Sequence, residues 1–351
     1  ESASVRLGEL QFNHNLPAGV YRSFFREIKE LIREDDVNRV DLVLAGDIFE
    51  INRSALWLDS SLRPYVNNEE VGNTPELENM ILSILEAIIR DHRVAETLSL
   101  FRRLSEFFGK PVQIHYIPGN HDRLLNSTAK IRHRVQSYLG LDHNDSPFKN
   151  QYLHYAEGEA MTLVRHGHEY DRANFSQSFV LADYIPTFID KEAYDKPVVG
   201  DIVTVELASK LPKLFKDYYS EETILSINEL VMIYHRLIDF DNVRPATALM
   251  NFLFSTPGLS QKEVWRFIEP VVIRALDDAA LDPVLGQNII NFGGIVGFTA
   301  TLFNFLFKTR PWRKGIPFWL AKLLLKPASR GSKIDSSIPM VMKESFLREN
   351  A

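Results

Sequence analysis

Three short stretches place metal-ligating side-chain types directly behind apolar runs. Val40-Asp41-Leu42-Val43-Leu44-Ala45 stops at Gly46-Asp47-Ile48-Phe49-Glu50. Val112-Gln113-Ile114-His115-Tyr116-Ile117 stops at Pro118-Gly119-Asn120-His121-Asp122-Arg123. Met161-Thr162-Leu163-Val164-Arg165 stops at His166-Gly167-His168. Each run has the length of a buried strand, and Gly or Pro-Gly marks the first two ends. In α/β proteins ligands gather beyond the carboxyl ends of strands. A carboxylate, an amide and imidazoles delivered there carry the oxygen and nitrogen donors that a divalent cation takes. One stretch alone would say little. An Asp after Gly can cap the next helix, and a lone His at a strand tip is more often a hydrogen-bonded surface group. Gly-Asn-His-Asp is more specific, and the three stretches together point to a metal site.

The elements that must hold these groups alternate in type. Residues 4–10 read as a first strand, and 20–34 carry a helical stripe of Val20, Phe24, Phe25, Ile28, Leu31 and Ile32. After strand 40–46, the polar stretch 51–73 reads as a loop over the strand tips. Thr74-Pro75-Glu76 opens a helix with a capping hydroxyl and a first-turn Pro. A second helix, about 94–108, stops before Gly109-Lys110-Pro111. Strand 112–117, a helix over 128–139 and a hairpin of 151–156 with 160–166 complete the first half. This alternation is the α/β signature. From about 175 to 326 the pattern is helical, with stripes over 201–217, 222–240, 244–254, 260–280 and 283–307. The expected division is a core over 1–171, a helical insertion or cap over 172–345, and a return toward the core at 346–351.

Gly46-Asp47-Ile48-Phe49-Glu50, Gly119-Asn120-His121-Asp122 and the later His166 resemble the GDxx[DE], GNH[DE] and lone-His motifs of the calcineurin-like metallophosphoesterase superfamily. The resemblance covers roughly residues 1–171. It implies a four-layer α/β/β/α sandwich holding two divalent metal ions, manganese, iron or zinc. Carried over residue by residue, it implies that Asp47 bridges the metals and that Asn120 binds one of them and the substrate phosphate. His166 would bind the second metal, and His121 would assist the leaving oxygen from just outside the metal shell. The implied reaction is hydrolysis of a phosphate ester or pyrophosphate bond by metal-activated hydroxide. Arg123 and Arg165 flank the site and could contact phosphate, with solvated surface charge as an equal alternative. His168 sits beside the site as a further metal-type donor. The Gly-Asp-x-Phe-Glu and His-Gly pattern also resembles UDP-diacylglucosamine pyrophosphohydrolases, which implies a nucleotide or lipid-linked substrate.

At the register of the family's opening Asp-x-His stand Glu9-Leu10-Gln11, with Glu9 as the metal-type donor. No Gly-His-x-His follows residue 171, unless Gly167-His168-Glu169-Tyr170 is an altered form of it. Two expectations follow. Either the chain continues past Ala351 into a Gly-His-x-His strand, or the fold is catalytically degenerate and serves as a membrane-surface or partner-binding module.

Composition narrows the classes. The 351 residues contain no cysteine, which removes disulfides, a thiolate nucleophile and Cys-type zinc sites and fits a cytoplasmic protein. The formal charge of −6 gives no reason to expect nucleic acid. Against that acidic balance, residues 283–334 hold Lys308, Arg310, Arg313, Lys314, Lys322, Lys326, Arg330 and Lys333 and no acid. They are also rich in Phe, Trp and Leu. That is the make-up of a peripheral membrane-surface helix, although a buried helix with a basic edge is the commoner source of such a pattern. Asn291, Asn304, Pro311 and Pro317 argue against a membrane span.

Overall fold

The computed structural model describes residues 4–13, 15–34, 37–155, 161–171, 174–176, 188–243, 249–281 and 309–319. The fold is mixed α/β, and the described strands pair two by two. The chain divides into two units, one containing Phe12–Val198 and the other Arg6–Gln11 and Val199–Ala351. The expected strand over 4–10 is instead two strands, β1 (Ser4–Leu7) and β2 (Leu10–Asn13), with Gly8 in the turn at φ +58°.

In the first unit, β3 (Val40–Ala45) and β4 (Val112–Ile117) are parallel and paired from Val40↔Val112 to Ala45↔Ile117. The register matters because it sets Gly46-Asp47 level with Pro118-Gly119. Helices cover the pair and supply its crossover, as a parallel connection requires. They are α1 (Ala18–Glu34), α2 (Asn68–Asn73), α3 (Pro75–Ile89), α4 (His92–Arg102) and α5 (Leu104–Phe108). Phe25 of α1 meets Phe101 of α4 and Phe108 of α5 edge-on, with centroids 6.0 and 5.8 Å away. Buried Leu77, Ile81, Leu82, Ile84 and Leu85 of α3 continue the core. α6 (Ala129–Leu139) follows β4, capped by Thr128 and stopped by Gly140 at φ +71°. A hairpin of β5 (Tyr152–Tyr155) and β6 (Met161–Val164) then leads to His166.

Several local expectations change. The 51–73 stretch is ordered: two tight helical turns and α2, around a fully buried Trp57 whose indole N–H donates to the Ile51 carbonyl at 2.8 Å. Its polar residues serve as caps, Ser54 for one turn and Asn67 for α2, which is why the segment looked like loop. Thr74 makes no side-chain cap bond, so α3 starts on Pro75 and its first-turn acids Glu76 and Glu78. The expected helix over 94–108 is two helices, broken at Arg103. The boundary at 171 falls inside the first unit. Helix α7 (Lys191–Asp195) returns to it, with the Tyr194 hydroxyl on Glu169 at 2.8 Å and Asp195 accepting from Asn68 at 2.6 Å.

Apart from the Arg6–Gln11 strand segment, the second unit is helical where it is described. Its elements are α8 (Val199–Val203), a π-helical turn over Thr204–Ser209, α9 (Lys210–Tyr219), α10 (Glu221–Ser226), α11 (Asn228–Ile238), α12 (Leu249–Phe254) and α13 (Gln261–Leu281). Leu211, Leu214, Phe215, Leu230, Ile233, Tyr234, Trp265 and Ile268 form its core. The stripe over 222–240 is interrupted by extended Ile227, which separates α10 from α11. The stripe over 283–307, the return over 346–351 and most of 283–334 lie outside the described residues. No described helix is long and apolar enough to cross a membrane.

Candidate metal centre

Two loops meet at the carboxyl ends of β3 and β4, and two glycines let them approach. A Cβ on Gly119 would overlap the Asp47 carboxylate, and a Cβ on Gly46, at φ +90°, would overlap the His166 ring. The residue type at both positions is therefore set by contact with the site itself. Beyond Gly46 the chain turns sharply: Asp47 has φ +49° and Glu50 φ +51°. Left-handed backbone of this kind costs a non-glycine residue about 1–2 kcal/mol, so something must hold it.

Asp122 holds it. Its fully buried carboxylate accepts the backbone N–H groups of Ile48 at 2.6 Å, Phe49 at 3.1 Å and Glu50 at 2.7 Å. It also accepts the Tyr116 hydroxyl at 2.9 Å. Burial and the nearby Asp47 and Glu50 carboxylates push the Asp122 carboxyl up to about 7, against the donors that favour its charged form.

Asp47 is the meeting point. One oxygen, Oδ1, accepts the backbone N–H of His121 at 2.9 Å; the other, Oδ2, lies 3.0 Å from His166 Nε2. Burial would raise its pKa, but the His166 hydrogen bond and the charges of His121 and His166 bring it down to about 2. The opposite face of His166 is fixed by Nδ1, which donates to the Ala45 carbonyl at 2.8 Å. That bond selects the tautomer whose Nε2 faces Asp47, the arrangement seen when a backbone carbonyl orients a metal-ligating imidazole. Without a metal, burial lowers the His166 pKa, and the Asp47 hydrogen bond and charge overcome this and raise it to about 9.

His121 is buried, and its Nδ1 pairs with Glu50 Oε2 at 2.6 Å; Glu50 in turn pairs with Arg53 Nε at 2.9 Å. Burial opposes a charged His121, but the Glu50 hydrogen bond and charge, helped by Asp47, raise its pKa. Among the described residues one cluster of metal-type donors stands out, Asp47, Glu50 and His121, with one ligand atom from each within 4.8 Å of the others. Glu50 and His121 are paired with each other at 2.6 Å, as Asp47 and His166 are at 3.0 Å, so a cation at Asp47 would have to displace one of these contacts. Asn120 is buried beside them, and its Nδ2 donates to Asn174 Oδ1 at 3.4 Å, which turns its amide oxygen the other way.

The remaining expected site residues fall in different places. The Arg123 guanidinium is buried and spent on backbone carbonyls: Val66 at 2.7 Å, Asp195 at 2.9 Å and Pro64 at 3.0 Å. It ties α7 and the 64–66 turn to the site loop, an architectural task in place of the expected phosphate contact. Arg165 donates to Gln151 Oε1 at 3.1 and 3.2 Å. His168 is buried against Phe175 and Tyr194, with centroids 5.4 and 5.6 Å away, and its ring lies 5.2 Å from that of His166. Its Nδ1 is buried and has no hydrogen-bond partner; Glu169 Oε2 is 3.8 Å off. Burial takes its pKa down to about 4. Glu9 is exposed in the β1–β2 turn, within the second unit. Glu50, Asp122 and Asn174 contact the candidate site and carried no expected role. The first two were visible as the closing acids of Gly-Asp-Ile-Phe-Glu and Gly-Asn-His-Asp, whereas Asn174 had no sequence signal.

Comparison with protein-family models, with curated proteins and with solved structures returns no match.

Proposed function

We propose that the chain is a metal-dependent phosphoesterase whose reaction centre is the paired tip of β3 and β4. The observation that carries this reading is the Asp47 carboxylate, shared between the Asn120-His121 loop through one oxygen and His166 through the other. A carboxylate placed between two donor groups is what a two-metal centre needs as its bridge. Asp47, Asn120 and His166 would be metal donors, with His168 as a further candidate because its buried Nδ1 lacks a partner. The nitrogen and oxygen donor set suits manganese, iron or zinc. When bound, such ions supply Lewis acidity and lower the pKa of water.

The chain's own groups do the rest. Glu50 holds His121 by Nδ1 and, with Asp47, favours its protonated form. A protonated imidazole at the strand tip can give its Nε2 proton to a leaving alkoxide or phosphate oxygen. Asp122 fixes the backbone that carries Asp47 and Glu50, so the geometry exists before substrate arrives. The finer fold proposed is the four-layer α/β/β/α sandwich with a helical cap, and the substrate class is a phosphate ester or pyrophosphate, nucleotide or lipid-linked.

The test is manganese-dependent hydrolysis of bis-p-nitrophenyl phosphate by the full chain. Activity that disappears in Asp47→Ala and Asn120→Ala supports the proposal. Metal binding with no hydrolysis of mono-, di- or pyrophosphate substrates would replace it with the degenerate, partner-binding reading.

A further inference from the structure

A second feature, in the helical unit and independent of the phosphoesterase reading, has its own chemistry. The start of α13 and the turn over Pro311–Lys314 enclose an open groove of about 690 Å³. Lys262, Arg266 and Lys314 line it, together with Trp265, Ile316 and Phe318. Arg310 opens the turn. Two acids, Glu263 and Glu269, also line it, and they and the adjacent Asp277 are already engaged. Asp277 takes the Trp312 indole and Arg313, both at 2.8 Å; Glu269 takes the Ile316 N–H at 2.6 Å; Glu263 caps Ser260 at 2.7 Å. Lys262, Arg266, Arg310 and Lys314 make no ion pair among the described residues. Next in the chain to the lining residue Phe318 is Trp319, 68% exposed, the most exposed large hydrophobic side chain of the unit's described residues.

Cations without ion pairs on a segment that also carries an exposed Trp are what a bilayer interface selects: the indole seats at headgroup level and the cations meet anionic lipid. An acidic protein partner would be served by a compact cluster. Here the basic residues continue through 283–334 without a single acid, which matches an extended anionic surface better than a point contact. We propose that this face of α13 and the Trp319 segment docks on an anionic membrane surface, with Trp319 as the inserted anchor.

Vesicle co-sedimentation of the full chain tests it, with phosphatidylcholine alone and phosphatidylcholine mixed with phosphatidylglycerol. The expected result is salt-sensitive binding to the mixture only. Each basic residue at such a surface contributes about fivefold, so Lys262→Gln, Arg266→Gln and Lys314→Gln combined should weaken binding by about a hundredfold. Trp319 gives a direct readout because Trp57, Trp265 and Trp312 are all buried. Brominated phosphatidylglycerol should quench the wild-type chain and leave Trp319→Phe unquenched. Equal binding to both lipids, no binding, or an unaffected triple variant overturns the proposal. Retention on polyglutamate without vesicle binding would assign the face to an acidic protein instead.

Discussion

Replacing Asp122 by Ala should unfasten the loop that carries the site while leaving every proposed ligand in place. The carboxylate accepts three consecutive backbone N–H groups and the Tyr116 hydroxyl. Ile48 lies at the surface, so water can replace its bond. Phe49 and Tyr116 are buried and Glu50 partly so, and each of these three donors, left without an acceptor, costs about 1–1.5 kcal/mol. The sum, about 3–5 kcal/mol, does not depend on whether Asp122 is ionised. It also releases the left-handed turns at Asp47 and Glu50. Hydrogen exchange read on the 46–53 peptide should lose about two to three and a half decades of protection, at about 1.4 kcal/mol per decade. Asp122→Asn keeps one acceptor oxygen and removes a charge that Asp47 and Glu50 oppose, so its loss should be about 1–2 kcal/mol. A fall of less than tenfold in Asp122→Ala, or a larger effect for Asn than for Ala, would refute the clamp.

Other outcomes follow from the same geometry. In the metal-free protein, Asp47 contributes stability above its ordinary pKa of 3.8 that is lost as pH falls through about 2. His166 contributes stability below its ordinary 6.5 that is lost as pH rises through about 9. The pair should therefore support the fold evenly from about pH 4 to 6.5. NMR titration should find the His166 pKa near 9 and lower in Asp47→Asn, where only the Ala45 carbonyl and the Glu169 charge remain to oppose burial. Gly119→Ala drives a methyl into the Asp47 carboxylate; a loss of about 2–4 kcal/mol and of manganese-induced stabilisation is expected by thermal shift, and an unaltered manganese response would contradict the packing. Arg123→Met should lower stability by about 3–5 kcal/mol through its lost carbonyl bonds with KM for a phosphodiester unchanged. A raised KM at wild-type stability would restore the phosphate contact.

What was legible in the sequence is what local pattern encodes. The runs Val40–Ala45 and Val112–Ile117 read as strands because each is a short, mostly apolar stretch bounded by turn-forming Gly or Pro-Gly, and both formed. Asp47, His121 and His166 were visible as polar residues placed where an apolar run ends, and the structure brings them together. Residues 51–73 misled because Ser54 and Asn67 cap short helical turns, and capping residues look like loop residues. Arg123 misled for a related reason. An arginine beside a site looks like an anion ligand, and only the fold shows that carbonyls from distant turns converge on its guanidinium. Asn174 could not be found at all, since its role depends solely on where α7 and the segment before it return.

The bond from His166 to the Ala45 carbonyl spans 121 positions in the chain. Closing so long a loop is entropically slow, and contacts of this separation form late in folding. During synthesis the strand tip carrying Asp47 emerges long before its last partner. The helical layer around α1, α3 and α4 can condense in that interval, because its contacts are nearer in sequence. A cation held as proposed by Asp47 and His166 would meet a scaffold that is already built, and would act on the closing step rather than on collapse. Docking of the β5–β6 hairpin and His166 onto this strand tip is therefore the step expected last in refolding.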